Sequence, residues 1–123
     1  MSNIHSNLNL NEIINLLSNY DGTYTVILYL TAEWCGPCTK IKPYINEYKT
    51  KLKEKVIFVE IDVDETLDVF GILKKKKQLN GIPAILKYKC GRHPTDMNIM
   101  ICDECVIGSK IEDITKLFSS LIN

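Results

Sequence analysis

Cys35 and Cys38 stand three residues apart around a Gly-Pro pair, inside the stretch TAEWCGPCTKIKP at residues 31–43. Two thiols at this spacing admit three chemistries: half of a metal site, a structural disulfide, or a reactive dithiol. A tetrahedral zinc site needs four ligands, and a single C-x-x-C supplies two. A disulfide across so short a loop constrains the unfolded chain little. A thiol at the start of a helix lies near unpaired backbone N–H groups and the positive end of the helix dipole. Both stabilise the thiolate, which is the nucleophile.

The flanking residues set that context. TYTVILYL, residues 23–30, is β-branched, aromatic and nearly all apolar, the pattern of a strand buried on both faces. From Pro37 to Leu52, the spacing of Ile41, Tyr44, Ile45, Tyr48 and Leu52 is helical, with Pro43 an internal kink. Cys35 therefore falls where a strand and its turn give way to a helix. Cys38, three residues on, shares the helical face of Cys35 within disulfide reach. Pro37 suits the first turn, where its missing N–H is no loss, and Gly36 leaves room for an approaching chain. The expected chemistry is exchange: Cys35 attacks a substrate disulfide, and Cys38 resolves the mixed disulfide by attacking Cys35.

The remaining elements follow from periodicity and turn residues. Leu10, Ile13, Ile14 and Leu17 have helical spacing, with Asn9 as cap and Glu12 three residues on. VIFVEID at 56–62 predicts a second buried strand, and residues 65–78 a helix ending in Lys74 to Lys77. IPAILKYKC predicts a third strand, with Pro83 at its start. Residues 91–98 form a connection, and IMICDECVIG at 99–108 predicts a fourth, shorter strand. Ser109 is placed to cap a last helix carrying Ile111, Ile114, Leu117, Phe118 and Leu121. The alternation predicts parallel strands with helical crossovers as far as the third, then an antiparallel hairpin at an edge. The expected class is a single α/β domain over residues 1–123, a central mixed sheet of four to five strands flanked by helices.

Composition narrows the function. Lysine plus arginine and aspartate plus glutamate each number 15, so the formal charge is zero and no basic field draws the chain to nucleic acid or an anionic membrane. The four consecutive lysines spread around a helix end, where the dipole favours cations, rather than forming a stripe. No stretch approaches the roughly 20 apolar residues of a membrane span. The segment MSNIHSNLNLNEIINLL has no basic start, and its apolar residues are broken by asparagines, a poor secretory signal. With five cysteines, an odd number, the chain is expected in a reducing compartment, the cytoplasm.

AEWCGPC resembles the active-site signature of the thioredoxin family, including Trp34, Gly36 and Pro37. Pro43 matches the family's kink proline, GIPA the segment carrying its cis-proline, here Pro83, and Gly91 and Gly108 two further glycines. The resemblance spans roughly residues 8–122. It implies the thioredoxin fold and reduction of protein disulfides through Cys35 and Cys38, by a monomer with no cofactor of its own. It also implies an NADPH-dependent thioredoxin reductase as electron donor, and a docking surface of Trp34, Gly36, Pro37, Ile82 and Pro83. Ile82 would offer backbone hydrogen bonds to an extended substrate segment. Two positions depart from the pattern. Tyr29 stands where the family usually carries a buried aspartate, and Phe58 where its lysine partner would be, so the route by which a proton leaves the site is altered.

Residues 92–99 read as an insertion flanked by Cys90, Cys102 and Cys105. With His93 these form Cys-x2-His and Cys-x2-Cys, a zinc pattern on paper. Residues three apart on a strand point to opposite faces, so Cys102 and Cys105 are expected to diverge and no metal is expected. A labile disulfide and plain thiols are the other two readings of these cysteines. The rival functions are a thioredoxin-like adaptor with little turnover and a zinc-stabilised interaction module built on the hairpin.

Overall fold

The computed structural model describes residues 3–123; Met1 and Ser2, which belong to the amino-terminal segment and to the expected domain 1–123, lie outside the described residues. In chain order the elements are β1 (Ile4–Ser6), α1 (Leu10–Asn19), β2 (Thr25–Thr31), α2 (Gly36–Lys49) and β3 (Val56–Asp62). They continue with α3 (Leu67–Lys75), β4 (Ala84–Lys89), β5 (Glu104–Ile107) and α4 (Ile111–Phe118). The strands form one sheet in the order β1-β3-β2-β4-β5. This is the mixed sheet with flanking helices expected from the sequence.

β2 occupies the centre. It runs parallel to β3, with Tyr29 opposite Glu60, and antiparallel to β4, with Tyr29 opposite Ile85. Alternating side chains along β2 serve two separate cores. Val26, Leu28 and Leu30 join Ile13, Leu17, Val69 and Leu73 from α1 and α3 on one face. Ile27 and Tyr29 join Ile41, Ile45, Ile114 and Phe118 from α2 and α4 on the other. A strand that is apolar at every position is what a three-layer arrangement requires.

α1 starts as its sequence suggests. Asn9 Oδ1 accepts from the Glu12 N–H at 2.9 Å, and Glu12 Oε1 accepts from the Asn9 N–H at 3.0 Å, closing a capping box. The Leu10 N–H donates to Asp68 Oδ2 at 3.0 Å, which ties the start of α1 to the first turn of α3.

Four expectations are corrected. β1 was not anticipated: it is only three residues long and pairs with β3 some fifty residues away. β4 is antiparallel to β2 rather than parallel, because residues 76–83 redirect the chain before it re-enters the sheet on the far side of β2. The last strand begins at Glu104, not Ile99; Ile99 and Met100 are buried in the loop before it. α4 has Lys110 rather than Ser109 at its N-cap, with no side-chain hydrogen bond there. Gly91 does hold a position only glycine fits, at φ +86°, where a Cβ would come within 3.1 Å of the Gly22 backbone nitrogen.

Candidate active site

Cys35 sits at the junction that the sequence suggested. β2 delivers the chain to residues 32–34, the Cys35 N–H bonds the Ala32 carbonyl at 3.2 Å, and α2 begins at Gly36 with Cys35 as its N-cap. The Cys35 Sγ accepts the Cys38 backbone N–H at 3.2 Å, doing what a serine or aspartate oxygen does at most helix starts. Cys38 lies one turn inside the helix, with its Cα 5.2 Å from that of Cys35, and the two are joined as a disulfide. Cys35 and Cys38 are 5% and 2% exposed, so both are largely covered, Cys38 the more so.

Of the residues named with them, Ile82 lies beside Cys35. The Ile82–Pro83 peptide bond is cis, and the Ile82 carbonyl oxygen lies 3.9 Å from Cys35 Sγ. The Pro83 carbonyl is already taken by the Gly108 N–H at 2.8 Å. Trp34 is 68% exposed, and its ring N–H donates to Asp64 Oδ2 at 2.8 Å, which ties the indole to the segment after β3. Gly36 and Pro37 are exposed, and no atom lies within 4 Å of where a Gly36 Cβ would stand. Asp64 escapes sequence inspection because it follows β3, far from Trp34 along the chain.

Behind the pair lies a cavity of about 470 Å³, lined by Cys38, Tyr29, Ile45, Lys42, Glu60 and Asp62 among others. Tyr29 fills the position of the missing aspartate and is 2% exposed, its ring centroid 6.2 Å from that of Phe58. Burial raises the Tyr29 phenol pKa above its ordinary value; a hydrogen bond with Thr31 opposes the rise and the Glu60 charge adds to it. Glu60 also pairs with Lys49 at 3.7 Å. Sequence reasoning missed these carboxylates as neighbours of Cys38. The available signal was a lone glutamate in the otherwise apolar run VIFVEID.

The other three cysteines are free: Cys90 is buried, Cys102 half-buried and Cys105 exposed. Cys102 precedes β5, so the alternation that would have sent it away from Cys105 does not apply. The Cys105 thiol is instead near enough to the Cys102 thiol to raise its pKa. His93 is exposed, and its ring nitrogen Nδ1 lies 2.9 Å from the Thr95 hydroxyl. Among the described residues, no three His, Cys, Asp or Glu side chains come together as a metal site would need.

Comparison with known proteins gives one consistent result. The profile of the Thioredoxin family matches residues 7–106. Thioredoxin 1 of Plasmodium falciparum is 38% identical over 66 residues, which cover 54% of this chain and 59% of that one. Thioredoxin H8 of Arabidopsis thaliana is 32% identical over 96 residues, 78% of this chain and 55% of that one. The chain thus spans little more than half the length of these two curated relatives. The crystal structure of the reduced thioredoxin pre-protein of Schistosoma mansoni has the same fold, with a TM-score of 0.68. The overlap covers 97% of this chain and 98% of that one, at 23% sequence identity.

Proposed function

The chain belongs to the thioredoxin family, and from that premise we propose that it is a protein dithiol–disulfide oxidoreductase acting through Cys35 and Cys38. One observation carries the proposal. Cys35 Sγ receives a backbone N–H at the start of α2 and lies beside the Ile82 carbonyl.

In the reduced protein that N–H and the helix dipole stabilise a thiolate on Cys35. It attacks one sulfur of a substrate disulfide; a Cys35–substrate bond forms, and the other substrate sulfur leaves as a thiol after taking a proton. The substrate segment lies extended along Ile82 and Pro83, flanked by Trp34, Gly36 and Pro37, and is held by main-chain contacts that read little sequence. Cys38 then loses its proton and attacks Cys35 Sγ. The second substrate sulfur departs, and the Cys35–Cys38 disulfide of the present structure remains.

A reductase drawing on NADPH returns the pair to dithiol. The protein works as a monomer on protein disulfides in the cytoplasm; the free thiols of Cys90, Cys102 and Cys105 support the reducing compartment. Among the described residues, no helix is long and apolar enough to cross a membrane. Insulin reduction with dithiothreitol, and then with a thioredoxin reductase and NADPH, tests the proposal. Turnover that disappears in Cys35→Ser is expected. Tight binding of oxidised substrate without turnover would make the protein an adaptor instead.

A further inference from the structure

Cys102 and Cys105 take no part in the exchange just described, yet the fold gathers them. β5 pairs with β4 so that Cys105 stands opposite Leu86. Directly paired residues of antiparallel strands point to the same face. Leu86 belongs to the core beneath α1 and α3, and Cys102 packs against that same core. Both thiols therefore lie on one face of the sheet, at its β5 edge.

The backbone between and around them is anchored before any bond forms. The Cys102 N–H donates to Gln78 Oε1 at 2.8 Å, and the Asp103 N–H to the Lys87 carbonyl at 2.9 Å. Arg92, stacked over the Tyr88 ring, donates to the Ile101 carbonyl at 2.6 Å and to Asp103 Oδ2 at 2.8 Å. Asp103 Oδ2 also accepts the Lys89 N–H at 2.6 Å. A backbone already held in place loses little conformational freedom when its thiols join, which raises the effective concentration of one for the other.

We propose that Cys102 and Cys105 are a second redox pair, which closes to an intramolecular disulfide when the protein meets a low-molecular-weight disulfide such as oxidised glutathione. Cys105, exposed on an edge strand, is the entry thiol. As thiolate it attacks one sulfur of the small disulfide, forming a mixed disulfide and releasing one thiol, which takes a proton. Cys102 then attacks the Cys105 sulfur, the second small thiol leaves with the second proton, and a Cys102–Cys105 bond remains. Two protein thiols have been oxidised and one small disulfide reduced. The order of attack follows from environment: burial and the neighbouring Cys105 push the Cys102 thiol up to about 11. Cys90 is buried, and burial pushes its thiol up to about 11, so it stays protonated and does not compete for entry.

The test uses the full chain with Cys35→Ser and Cys38→Ser, so that failure here leaves the dithiol function untouched. The reduced protein is exposed to oxidised glutathione, its remaining thiols are capped, and it is cut with trypsin without reduction. The peptide of residues 93–110, which holds both cysteines, is expected to lose two hydrogen masses and to carry no glutathione. Adding Cys102→Ser should leave a stable glutathione adduct on Cys105. Adding Cys105→Ser should slow all reaction roughly tenfold or more, because the remaining thiols are protonated and covered. A lasting adduct on Cys105 in the parent, a link through Cys90, or disulfide-bonded dimers as the main product would each overturn the proposal. The peptide mass in the parent decides the matter even if a serine variant fails to fold.

Discussion

Cys35 and Cys38 differ by a single helical turn, and that turn separates the roles proposed for them. Cys35 holds the N-cap and receives an N–H, whereas Cys38 is the more covered of the two and backs onto the cavity. Cys35→Ser is expected to abolish insulin reduction, while Cys38→Ser should accumulate a covalent adduct with a disulfide substrate on Cys35, seen on a non-reducing gel. Equal adducts from both variants would contradict the assignment. Replacing Cys90, Cys102 and Cys105 together by alanine should leave the insulin rate within a few-fold of the parent. Tyr29 makes a sharper test. Cys38 must shed a proton, with an unperturbed thiol pKa of about 8.5, before it can resolve. A phenol whose pKa is raised by burial is no base at neutral pH. Single-turnover resolution is therefore expected to quicken from pH 7 toward 8.5, and Tyr29→Asp to be faster near neutrality. A folded aspartate variant with an unchanged rate would reduce Tyr29 to packing. At this scale the sequence was informative where function resides in consecutive residues: WCGPC names its own chemistry. It was silent on Asp64 beside Trp34 and on Glu60 beside the Cys38 cavity, because those meetings are made by strand pairing.

Among the elements, α1 offers the clearest local energy. Asn9→Ala removes one half of the capping box and is expected to cost about 1 kcal/mol. The loss should appear as a lower urea midpoint with an unchanged slope. A wild-type midpoint would mean that the Leu10–Asp68 bond alone sets the start of the helix. The three inner strands β2, β3 and β4 and all four helices were legible, because each carries a full run of its own period. β1 was not, since Ile-His-Ser has no pattern and becomes a strand only by lying against β3. The sense of β4 was likewise hidden, because alternation of apolar residues is the same read in either direction. Cys102 was misassigned for a related reason. Ile99 and Met100 are apolar enough for a strand, but they are buried as loop residues beneath the Arg92 strap.

For the molecule as a whole, the buried thiols tie stability to alkaline pH. Burial pushes the Cys90 thiol above its ordinary value to about 11, and Cys102 to about 11 likewise. The unfolded chain ionises these thiols first, so the folded state binds more protons between the two values. Their stabilising contribution is complete below pH 9 and is lost as pH rises through 11. Urea midpoints of the reduced protein should fall over that window, and less steeply in Cys90→Ala; equal slopes would assign the decline to other groups. The central position of β2 has a further consequence. Its backbone is bonded to β3 on one side and β4 on the other, between two cores, so its amides can open only when the sheet itself comes apart. β1, at an edge, can detach alone. In deuterated water the β2 amides should exchange last and those of β1 among the first. Cys35 hangs four residues beyond the end of β2, so the proposed nucleophile is moored to the part of the molecule that almost never breathes.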